Sequence, residues 1–143
     1  MTPALAIAVF AGFTVKDGPG SGTWGLYWSM WDRFPDRRQS LIRFSTWNGD
    51  HRGTAAVIHH YAPEVIILIG HSYGVGWAMT RVTGELADLG RRVSAWMCID
   101  AVPRHPLPLK PLSLTRCGVV RVPATVDEAF NWRQCDKRGL FDP

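Results

Sequence analysis

Glu64-Val-Ile-Ile-Leu-Ile-Gly70-His71-Ser72-Tyr73-Gly74 decides how this chain is read. The apolar run is unbroken and rich in β-branched residues, and Pro63 bounds it upstream, as expected of a strand covered on both faces of a parallel sheet. After Gly74, small or apolar residues at Val75, Ala78, Met79, Val82, Leu86 and Leu89 follow helical spacing, and Gly90 is placed to end the helix. Gly70-His71-Ser72-Tyr73-Gly74 therefore has the form G-x-S-x-G and joins a predicted strand to a predicted helix. A serine there sits on a tight, strained turn, and glycines on either side let strand and helix approach without Cβ clashes. The N-terminal end of the helix directs its positive dipole at the same spot.

Working outward, Ala4-Leu-Ala-Ile-Ala-Val-Phe10 is continuous rather than alternating and reads as a first, buried strand. No lysine or arginine precedes it and it is far too short to span a membrane, so neither a secretion signal nor a transmembrane segment is expected. Asp17 to Gly22 reads as a loop, followed by an amphipathic helix carrying Leu26, Tyr27, Met30, Trp31 and Phe34 and ending before Pro35. Ser40 to Thr46 is the next strand, His51 to Tyr61 a helix with Ala55, Ile58 and Ala62 on one side, and Arg92 to Ile99 a further strand ending at Asp100. Residues 101–114 hold Pro103, Pro106, Pro108 and Pro111, which exclude regular helix and central strand. Cys117 to Val122 and Thr125 to Trp132 both carry β-type residues, and one of them supplies the last parallel strand. The expected class is α/β, one domain over residues 1–143, a small mostly parallel sheet with helices on both faces and no separate cap domain.

This sequence resembles the α/β-hydrolase family, in its lipase, esterase and thioesterase branch, through Gly70-His71-Ser72-Tyr73-Gly74 in its strand-turn-helix setting. The resemblance implies a serine hydrolase that cleaves a carboxylic ester or acyl thioester through an acyl-enzyme on Ser72, with no metal or organic cofactor. It also implies an oxyanion hole made by the backbone N–H groups of Tyr73 and of Phe13, which follows the first strand. The chain order of the family's triad, serine, acid, histidine, makes Asp100 and His105 the remaining members. The family places its histidine after the final strand, and no histidine follows His105 here. Three readings stand open: His105 shares a loop with Asp100 and is the base; the base belongs to a longer parent chain; or the triad is broken and the protein binds an acyl or peptide ligand without hydrolysing it. His71, inside the motif, is expected to leave the turn in another direction and to act in packing.

A rival motif, Gly20-Ser-Gly22-Thr-Trp-Gly25, matches the G-x-G-x-x-G pattern that brings backbone amides up to a pyrophosphate. The first strand ends some way before its glycines, and no P-loop lysine accompanies them, so a nucleotide-binding domain is the lesser alternative. His59 and His60 are adjacent, diverge on a helix and cannot share a metal. His51, just past a strand's C-terminal end, lies where ligands gather in open α/β sheets.

Composition sets the remaining bounds. A chain of 143 residues with 46% hydrophobic content has enough apolar side chains for a real core. The net charge of +4 comes from scattered arginines without a dense basic run, so no nucleic-acid partner is expected. Cys98, Cys117 and Cys135 are odd in number and lack paired spacing, which favours reduced thiols and a cytoplasmic location over a disulfide scaffold or zinc site.

Overall fold

The computed structural model describes residues 3–12, 22–101 and 120–132. Five strands, β1 (Leu5–Phe10), β2 (Ser40–Ser45), β3 (Val65–His71), β4 (Val93–Ile99) and β5 (Val126–Trp132), form one sheet in the order β2-β1-β3-β4-β5. Every pairing is parallel. Helix α1 (Gly22–Arg33) follows β1, α2 (His51–Tyr61) follows β2, and a π-helical segment, Gly74–Met79, runs directly into α3 (Thr80–Asp88) after β3. The architecture is therefore the α/β class predicted from the unbroken apolar runs, and Thr125 to Trp132 contains the last strand.

Side-chain alternation divides the core between the two faces. Ala6, Ala8, Phe10, Ile66, Leu68, Trp96 and Cys98 pack with Ala55 and Ile58 of α2, with Val75, Ala78 and Met79, and with Val82 and Leu86 of α3. The Trp96 indole N–H donates to Thr83 Oγ1 at 3.0 Å in that buried layer, so the one polar handle of its largest side chain is satisfied. On the opposite face Ile7, Val9, Ile42 and Ile69 meet the partly buried Leu26, Tyr27, Met30 and Trp31 of α1, with Phe34 just beyond it.

Three details differ from the periodicity. The helix after the motif is not uniform: its first six residues, Gly74–Met79, are π-helical before the α-helical turn is resumed at Thr80. Ala62 is exposed rather than part of the buried side of α2, because it forms the left-handed C-cap (φ 45°) whose N–H reaches the Ile58 and His59 carbonyls. Helix α1 already begins at Gly22, inside the stretch read as loop. Gly90, at φ +72°, ends α3 as expected.

The topology fixes one position above others. From β1 the chain moves to one side to make β2, and β3 then lies on the other side of β1, so the order reverses between β1 and β3. The crevice outside the carboxyl ends of two such strands is where open α/β sheets hold ligands. Gly12 and Ser72 stand at those two ends.

Candidate active site

Ser72 has φ 52°, in the left-handed region that costs a non-glycine residue about 1–2 kcal/mol. Its N–H donates to the Ile99 carbonyl at 2.8 Å, carrying the β3–β4 ladder one residue past the strand, while its carbonyl accepts from the Val75 N–H at 3.2 Å. The backbone is thus tied to the sheet on one side and to the helix on the other, and both ties hold the strained turn in place. Asp100, next in register beyond Ile99, repeats the pattern on the neighbouring strand: φ 46°, with its N–H donating to the Trp132 carbonyl at 2.8 Å. Ser72 and Asp100 are consequently backbone neighbours, each the first residue past its strand and each turned out of the ladder.

Three glycines permit this turn. A Cβ on Gly74 would lie 2.7 Å from the Phe10 carbonyl oxygen and 2.8 Å from that of Ala11, so the start of the helix packs directly on the β1 backbone. One on Gly70 would run into the Met79 sulfur and come within 3.1 Å of the Val75 nitrogen. Gly12 immediately precedes Phe13, the residue expected to supply an oxyanion donor, and a Cβ there would stand 3.0 Å from both Ser72 Cβ and His71 Nδ1. The loop leaving β1 therefore closes on the serine turn itself, a contact between residues far apart in the chain that no local pattern announces.

Aromatic side chains flank the turn. The Tyr73 ring meets Trp47, from the loop after β2, edge-on at 5.3 Å and stacks on Trp77 at 6.2 Å and 12°, while the Arg81 guanidinium lies 4.3 Å over Trp77. Tyr73, Trp77 and Arg81 are spaced i, i+4, i+8 in the segment after Ser72, and Trp47 reaches them from the loop at the C-terminal end of β2. His51 Nε2 donates to the Trp47 carbonyl at 2.9 Å. Burial lowers the His51 pKa below its usual 6.5, and Arg81 adds to the effect while the Trp47 carbonyl opposes it.

The other histidines divide clearly. His59 and His60 are exposed on α2. His71 Nδ1 is buried against Gly12 without a hydrogen-bond partner, and among the described residues no histidine is hydrogen-bonded to Ser72. His105 and Phe13, named above as base and oxyanion donor, lie outside the described residues, as do Cys117 and Cys135. Burial pushes the Cys98 thiol up to about 11, so it stays protonated at neutral pH and is no rival nucleophile. Among the described residues no group of three or more His, Cys, Asp or Glu is placed to hold a metal ion, and no helix is long and apolar enough to cross a membrane. Gly22 and Gly25, from the rival glycine motif, have open space where a Cβ would stand, so they do not serve the close helix–strand packing for which that motif uses its last glycine.

Comparison with models of known protein families, with curated proteins and with solved structures found no match.

Proposed function

We propose that the protein is a serine hydrolase that cleaves a carboxylic ester or an acyl thioester through an acyl-enzyme on Ser72. The observation that carries this reading is the left-handed backbone of Ser72 between β3 and a helix, in a turn closed by three glycines at which an added Cβ would crowd neighbouring atoms. A non-glycine residue adopts that conformation at a cost, and the surrounding hydrogen bonds maintain it at the crevice between β1 and β3.

In this reading Ser72 Oγ attacks the substrate carbonyl carbon as a base removes its proton. The backbone N–H groups of Phe13 and Tyr73 receive the negative charge of the tetrahedral intermediate, an interaction worth about 3–4 kcal/mol per donor in related chemistry. The base returns its proton to the departing alcohol or thiol, and water then attacks the acyl-serine by the same route in reverse. Asp100 is assigned to orient the imidazole of His105. The register that sets Asp100 beside Ser72 supports a shared site for the acid and the nucleophile.

Reaction with a fluorophosphonate probe tests the reading. Labelling of the intact chain on Ser72, lost in Ser72→Ala and strongly slowed in His105→Ala, is the expected result. A second reading, ligand binding without hydrolysis, rests on the sequence, in which no histidine follows His105 in the place where the resembled family carries its base. It predicts that the same probe leaves Ser72 unmodified.

A further inference from the structure

Among the described residues, the two faces of the sheet are covered very unequally. Helices α2 and α3 bury their apolar stripes completely at Ala55, Ile58, Val82 and Leu86. Helix α1, with no charged residue before its last turn, buries only Thr23: Trp24, Leu26, Tyr27, Met30 and Trp31 are half-buried, and Trp28 is 43% exposed. On the same side of the sheet, register carries the row through Ile69 and Met97 to Phe130 and the row through Ile99 to Trp132. Phe130 and Trp132 stack on each other at 6.0 Å and are 43% and 53% exposed. Between α1 and Trp132 runs a groove of about 500 Å³ whose walls include Leu26, Met30, Phe34, Ile69, Met97 and Ile99. Parallel sheets are ordinarily covered on both faces, and a continuous aromatic and aliphatic surface of this kind marks an interface.

We propose that this side of the molecule is the interface of a two-fold symmetric dimer, with α1 of each copy seated in the groove between α1 and β5 of the other. Shape favours a second copy because the ridge, α1 with its outward Trp28, and the groove that would receive it lie side by side on one surface. Such a surface is self-complementary under a two-fold rotation.

Charge gives the direction of the axis. Helix α1 links parallel strands, so it runs antiparallel to them, and its Arg33, together with Arg38 in the turn before β2, stands at the N-terminal edge of the sheet. Glu128, exposed at the start of β5 and on the α1 side by its register with Ala95, stands at that same edge. A two-fold axis parallel to the strands keeps the edges aligned while exchanging α1 with β5, and so sets Arg33 and Arg38 against the partner's Glu128. An axis across the strands would instead separate these charges.

Sedimentation equilibrium of the full chain across the micromolar range tests the proposal, with circular dichroism as the control for folding. The wild type is expected to be a dimer. Trp28→Glu on the ridge and Trp132→Glu in the groove, both at exposed positions, are each expected to weaken it at least about tenfold, the scale of a central aromatic anchor. Glu128→Arg is expected to weaken it too, and Arg33→Glu with Arg38→Glu in the same chain to restore it. A monomer throughout that range overturns the proposal, as does a dimer indifferent to both tryptophan variants. Loss at Glu128→Arg without rescue overturns the stated axis. Binding of the monomer to phosphatidylcholine vesicles, blocked by Trp28→Glu, assigns the surface to lipid instead.

Discussion

At the scale of single residues, Ser72 combines a conformational cost with a chemical assignment, and the two are separable by substitution. Alanine removes the hydroxyl but keeps a Cβ at φ 52°, whereas glycine removes both the hydroxyl and the steric penalty. Ser72→Gly is therefore expected to be more stable than Ser72→Ala by about 1 kcal/mol, with neither labelled by a fluorophosphonate. Chemical denaturation of the two variants measures the difference, and equal stability would mean that the turn stores no backbone strain. His51 supports a prediction in pH. Its folded pKa lies below 6.5, chiefly because burial disfavours the imidazolium, so the unfolded chain binds the proton more tightly. The stability it contributes is complete above pH 6.5 and is lost as the pH falls through 6.5 toward the lowered folded value. Unfolding curves on either side of pH 6.5 are expected to show a steeper acid loss for the wild type than for His51→Gln, and parallel losses would exclude His51 as the source.

At the scale of elements, the strand-turn-helix unit depends on backbone contacts that differ in how far they can yield. A methyl on Gly74 meets the carbonyl oxygens of Phe10, at the end of β1, and of Ala11, tied to β2 through its N–H, neither of which can move without shifting β1 within the sheet. A methyl on Gly70 first meets the Met79 sulfur at the end of a flexible side chain, which can swing away. Gly74→Ala is expected to cost about 3 kcal/mol and Gly70→Ala nearer about 1 kcal/mol, the two ends of the usual range for overpacking. Thermal or urea unfolding gives the ranking, and a larger loss at Gly70 would show that helix–strand packing, not the approach to β1, limits the turn. The same unit shows what a sequence can reveal. Strand β3, the motif and the end of the helix at Gly90 were legible because continuous apolar residues, glycine spacing and helical periodicity are all local signals. The π-helical pitch of Gly74–Met79 was not, since a change in hydrogen-bond register leaves the spacing of Val75, Ala78 and Met79 intact. Nor was the seating of Gly12 against Ser72, which arises only when β1 and β3 become neighbours.

For the molecule as a whole, the sheet's order implies a gradient of stability. Strands β1 and β3 are central, each hydrogen-bonded on both sides, and β1 carries the most completely buried side chains, from Ala6 to Phe10. Strand β5 is an edge in which every residue after Val126 is exposed, and its mixture of Asp127, Glu128, Phe130 and Trp132 explains why the sequence left two segments competing for the last strand. Its exposed ion pair to Arg92, at 2.6 Å, adds at most about 1 kcal/mol because both partners remain in water. Local opening is therefore expected to begin at β5, while exchange at β1 and β3 requires the whole sheet to separate. The two ladder extensions make this sharp. The Ser72 N–H is bonded to β4 and is expected to exchange nearly as slowly as its neighbours in β3, whereas the Asp100 N–H, bonded to Trp132 of the edge strand, is expected to exchange with β5. Native-state hydrogen exchange resolved to single amides measures both. Equal protection at the two sites would mean that β5 is held as firmly as the centre of the sheet, and that Asp100 is as fixed in its turn as Ser72.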